Sequence, residues 1–116
     1  MDESIQLLEK VMDVSALRHR VLANNLANAD TPRFTRSDVK FRDLLANASE
    51  TGDADKIAKV QPEVVQDTDS GYRPDGNNVS LQREMGEIAE NSLIYQFSSS
   101  AISRKYALLK KAISGR

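Results

Sequence analysis

Two long stretches, one at each end of the chain, repeat apolar residues at steps of three and four. From Ser80 to Ile113 the row reads Leu81, Met85, Ile88, Ser92, Tyr95, Ser99, Ile102, Tyr106, Leu109 and Ile113. A heptad row held that long predicts one α-helix, about 50 Å in length, that lays a stripe against another helix. No Pro falls inside it, and only Gly86 weakens it. Ser80 is placed to cap its start, without a full capping box, because Arg83 stands where Glu would be needed. The tract Ser98-Ser99-Ser100 reads as a small-residue patch that permits close helix approach. Leu93, Ile94, Phe97, Ala101, Leu108 and Ala112 form a second row, so this helix needs more than one partner.

Residues 3–29 predict the other long helix. Ile5, Leu8, Met12, Leu22, Leu26 and Ala29 share one heptad frame, with Ser15 and His19 as polar gaps. Leu7, Val11, Val14 and Val21 lie beside that frame. Pro32 disfavours helix at Thr31, which ends the element near Asn28. Residues 31–40 read as a loop, and Phe41, Leu44, Leu45 and Ala48 predict a short helix over about 38–48. Val60, Val64 and Val65, with Pro62 among them, read as an extended segment or edge strand. Residues 67–78 are dense in turn formers and predict no regular element. The fold class is therefore mostly α: two terminal helices (1–30 and 80–116) in an antiparallel coiled-coil hairpin around an irregular middle (31–79).

The 116 residues bound the chain to one domain, and a net charge of −1 argues against bulk attraction to nucleic acid or anionic membrane. With no Cys there is no disulfide or thiol nucleophile. No apolar run is long enough to span a bilayer, so direct membrane insertion is not expected. The acidic, amphipathic N-terminus does not resemble a cleaved signal peptide.

Chemistry is sparse. His19 is the single His, flanked by Arg18 and Arg20, with no ligand or nucleophile partner nearby in sequence; it reads as a helix-surface residue. Asp67-Thr-Asp69-Ser-Gly71 faintly resembles a calcium loop, but its Gly is one position early and Asn78 stands where a bidentate Glu is required. Asn47-Ala-Ser49 and Asn78-Val-Ser80 match a glycosylation triplet that is common by chance. No catalytic, cofactor or metal residues are assigned, and no cofactor is expected.

Two stretches carry a resemblance. One is Leu22-Ala23-Asn24-Asn25-Leu26-Ala27-Asn28-Ala29-Asp30-Thr31-Pro32, followed by Asp38-Val39-Lys40-Phe41. The other is Asp75-Gly76-Asn77-Asn78-Val79-Ser80-Leu81, then Glu84-Met85, then Ala89-Glu90-Asn91-Ser92-Leu93-Ile94-Tyr95-Gln96. Together they resemble the bacterial flagellar basal-body rod protein family. The chain departs from that family at Arg33-Phe34, where a Gly and an aromatic are usual; Gly would allow positive φ and Arg resists it.

The resemblance implies a structural, non-enzymatic subunit of the periplasmic rod, exported by the flagellar type III apparatus. It implies as partners other copies of the chain and FlgC-like, FliE-like, FlgF-like and FlgG-like neighbours. It also implies that Asn24, Asn25, Asn28, Thr31 and Pro32 end the first helix and set the turn. Asn91, Tyr95 and Gln96 would sit in packing contacts on the second, and Asn77 and Asn78 carry the motif before it. The physical reading agrees: two helices side by side cannot each bury two apolar rows, so the surplus must meet neighbouring subunits. The competing expectation is a soluble helical adaptor or export chaperone that holds a partner helix on the same seam.

Overall fold

The computed structural model describes residues 3–40, 46, 50 and 54–115. In chain order the elements are helix α1 (Glu3–Ala27), strand β1 (Ser37–Lys40), helix α2 (Ala54–Lys59), strand β2 (Glu63–Gln66) and helix α3 (Leu81–Ser114). The molecule is elongated, 64 × 26 × 14 Å. α1 and α3 run antiparallel: Asn25 meets Glu84, Asn91 meets Ser15, and Tyr106 meets Glu9.

The helix ends follow local chemistry. The Ser80 hydroxyl accepts from the Arg83 N–H at 3.3 Å, capping α3. Gly115, at φ 70°, closes the other end by donating its N–H to the Lys111 carbonyl. α3 passes unbroken through the serine tract, and Ser98 is buried, as a small-residue approach requires. α1 stops where the Asn28 side chain donates back to the Asn24 carbonyl at 2.9 Å and Thr31 N–H bonds the Asn28 carbonyl.

Two expectations are corrected. Residues 38–40 are strand, not the start of a helix or part of a loop. β1 pairs antiparallel with β2, Asp38 opposite Val65 and Val39 opposite Val64. The Asn25 side chain bonds both backbone groups of Ser37, accepting at 2.9 Å and donating at 2.7 Å, so a tertiary contact starts the strand where local spacing favoured helix. Most of the expected helix beyond residue 40 lies outside the described residues. The Val64–Val65 segment is a strand whose second edge is unpaired among the described residues, as its β-branched pattern predicts.

The second correction concerns which side of α3 faces α1. The buried line is Glu84, Asn91 and Ser98. Of the heptad row read from sequence, Ile88 and Ile102 are half-buried, while Leu81, Met85, Tyr95, Tyr106, Leu109 and Ile113 stay exposed. A polar line wins the interior because each polar group there finds a partner or is small, which removes the usual penalty. α1 fares differently. Ile5, Val14 and Leu22 are buried, as is Ala29 just beyond the helix end, and Leu7 and Val11 pack against Ile57 and Val60 of the middle segment. The middle segment therefore covers the second row of α1, while the surplus of α3 stays open.

Candidate functional site: an ionic joint, a groove and an uncovered helix face

The loop after α1 and the loop before α3 are laced together. Arg33 N–H donates to the Asp75 carbonyl at 2.9 Å, and Asn78 N–H to the Phe34 carbonyl at 3.3 Å. The Asn77 amide donates to the carbonyls of Asn28, Ala29 and Thr31 at 2.8–3.1 Å, while its oxygen accepts from Val79 N–H at 2.7 Å. Arg73 adds bonds to the Val79 and Ala29 carbonyls. Arg33 adopts φ 62° in this turn. The chain thus takes the left-handed conformation without the glycine that suits it. Gly76, itself at φ 82°, lies so close that a Cβ there would come within 3.1 Å of Arg33 Cγ.

Beneath the loops sits Arg36, 1% exposed. It reaches Glu84 at 2.5 Å, Asp67 at 2.7 Å, Glu87 at 3.0 Å and Asp38 at 3.8 Å. Its backbone N–H donates to Asn78 Oδ1 at 2.7 Å. Arg18 extends the cluster to Asp38 at 2.9 Å and Glu87 at 3.6 Å, and Arg83 to Glu87 at 3.2 Å and Asp67 at 3.5 Å. This joint ties α1, β1, the turn after β2 and α3 in one place.

Charge states follow from the geometry. Burial pulls the Arg36 guanidinium toward neutrality, but its bonds to Glu84 and Asp67 outweigh that and hold its pKa above the usual value. The Ser70 hydroxyl, then Arg36 and the Ser70 and Asp69 N–H groups, hold the Asp67 carboxyl well below the usual carboxylate range. Burial works against ionisation of Asp38, yet the bonds from Arg18 and Val39 N–H leave its pKa lowered. Both Asp67 oxygens already accept donors, so the segment that resembles a calcium loop is an Asx turn locked onto Arg36.

The motif residues separate into two groups. Asn25, Asn28, Asn77 and Asn78 hold the joint, and Asn91 holds the hairpin by donating to the Ser15 carbonyl at 2.7 Å. Asn24, Thr31 and Pro32 lie at the surface of the turn. Tyr95 and Gln96 are exposed on one wall of a groove of about 410 Å³ between α1 and α3, with His19 and Arg20 opposite. His19 is a surface residue of α1, as its isolation in sequence predicts. Along the outer side of α3, Leu93 and Phe97 are 67% and 66% exposed, and Ile113 is 87% exposed.

Sequence reasoning missed Arg36, Glu84 and Asp67. A signal existed: Glu84, Asn91, Ser98 and Lys105 recur every seventh residue, a polar line inside an apolar helix.

Comparison with known proteins supplies the family. A family profile described as "Flagella basal body rod protein" matches residues 15–35, the stretch that carries Asn24, Asn25, Asn28, Thr31 and Pro32. The flagellar basal body rod protein FlgB of Bacillus subtilis (strain 168) is 31% identical over 97% of this chain and 94% of its own length. FlgB of Escherichia coli (strain K12) is 32% identical over 89% and 87%, and FlgB of Borrelia hermsii is 33% identical over 79% and 82%. A likeness of that extent, carried on the same two helices and the turn joined by Arg36, means that this chain belongs to the FlgB family of flagellar basal body rod proteins.

Proposed function

We propose that this structural rod subunit assembles through the uncovered side of α3 and passes torque along shared helix contacts as the rod crosses the periplasm. It is a subunit of the flagellar basal body rod and not an enzyme. Assembly with other rod components follows from the family. In this reading those neighbours are further copies and FlgC-like, FliE-like, FlgF-like and FlgG-like chains, and the subunit reaches them through the flagellar type III export apparatus without a cleaved signal.

One observation supports the reading most. The interior of the hairpin uses the polar line Glu84, Asn91 and Ser98, while Leu93, Phe97, Leu109 and Ile113 remain in water. Helix faces this apolar are costly unless another surface covers them. The packing set Ile5, Leu8, Met12, Leu22 and Leu26 of α1 then serves the hairpin itself, and Leu81, Met85, Tyr95, Tyr106, Leu109 and Ile113 of α3 serve the assembly.

Leu109→Asp tests it, because the exposed position lets the monomer fold. The expected result is an unchanged helical spectrum with loss of swimming and loss of the chain from isolated basal bodies. Normal swimming with this variant would refute the assembly role of α3.

A further inference from the structure

The groove between α1 and α3 is unfinished. Its floor is made of Ser15, Ala16 and Ser92, small residues that leave the two helices parted. Ser15 is 1% exposed, yet its hydroxyl has no hydrogen-bond partner among the described residues. A buried hydroxyl without a partner is unusual in a completed fold. It lies closed off beneath the groove, whose small lining residues leave room above it.

The same molecule carries a shape that fits. Leu93 and Phe97 stand out from α3 in a ridge that no described residue covers. Ser92 opens into the groove, and its neighbour Leu93 points about 100° further round the helix. Groove and ridge therefore lie on different faces of one subunit. Charge agrees with the match: Arg20 and His19 stand on the groove rim, and exposed Glu90 flanks the ridge. We propose that the groove at Ser15, Ala16 and Ser92 is a socket for a second copy of this chain, which seats the Leu93–Phe97 ridge in it with Glu90 near Arg20. This rests on the rod reading and adds its contact geometry.

The contact is of the unlike-face kind. Such contacts do not close as a two-fold pair; they propagate until a ring or helix forms. A helical ridge laid in an apolar groove is also a recurring mode of recognition.

The chain has no Cys, so introduced thiols report contacts without background. The test places Ala16→Cys and Phe97→Cys, singly and together, in cells that lack the native chain, and oxidises isolated basal bodies. The double variant is expected to give dimers and higher multimers, severalfold above either single variant, and each single variant to stay monomeric. Dimers from a single variant would overturn the proposal, since they require like faces to meet. So would a double variant that is present in basal bodies and remains monomeric, which leaves the rod reading standing. Absence of the unmodified chain from basal bodies would overturn both. As a second measure, Ala16→Trp fills the socket: the purified chain should keep its helical spectrum and melting point but fail to enter basal bodies. Normal incorporation of Ala16→Trp would also overturn the proposal.

Discussion

Replacing Arg36 by Met should damage the fold far more than replacing its closest partner, Glu84, by Gln. Arg36 sits among four carboxylates, those of Glu84, Asp67, Glu87 and Asp38, at 2.5–3.8 Å. If Glu84 loses its charge, Arg36 keeps Asp67 and Glu87, and a Gln amide can still accept from it. The loss is then one charge-assisted bond, about 1–2 kcal/mol. If Arg36 is lost, Glu84 is left fully buried with the Asn25 amide at 3.2 Å as its remaining described donor. An uncompensated buried charge costs about 3–5 kcal/mol. For a chain of this size the whole stability is on the order of 6–17 kcal/mol, so this is a large share. Denaturant melts followed by far-UV circular dichroism at neutral pH measure both variants. A loss below about 1 kcal/mol for Arg36→Met, or a larger loss for Glu84→Gln, would refute the idea that the joint is built around the cation.

Acid should loosen the unmodified fold. Asp67 and Asp38 have folded pKa values below the unfolded value of about 3.9, so their stabilisation is complete above that pH and fades as pH falls below it; a melting point that is flat from pH 6 to about pH 3 would contradict this. Arg33→Gly should raise stability by about 1 kcal/mol, because Gly adopts the left-handed turn without the strain that Arg bears at φ 62°; thermal melts decide it. Asn77→Ala should cost about 1–3 kcal/mol, since it removes one donor from three carbonyls that each keep another and leaves the buried Val79 N–H without its acceptor, and amide exchange at Val79 should quicken with it.

The hairpin was legible because two long periodic stretches with caps leave few alternatives. Ser80 and Pro32 mark helix boundaries by chemistry that acts within one turn of the chain. The side of α3 that faces α1 was not legible from apolar spacing. That choice depends on Arg36 and Ser15, residues 48 and 76 positions away from the groups they meet on α3. Strand β1 was missed for the same reason, since Asn25 and Val64 shape it across the fold. The positive φ at Arg33 could be anticipated only as a departure from a glycine pattern. The groove was not legible, because it is a gap between side chains and leaves no periodic trace.

The position of the joint along the hairpin sets how the molecule yields. Arg36, Glu84 and Asn25 clamp the two long rods near one extremity, like the spring of a clothes-peg. At the far extremity the bond from Tyr106 to Glu9 lies at the surface, where water competes with it. Separation of the two rods is therefore expected to begin at that extremity, where the packing of Ile5 and an exposed bond oppose it, and to reach the clamp last.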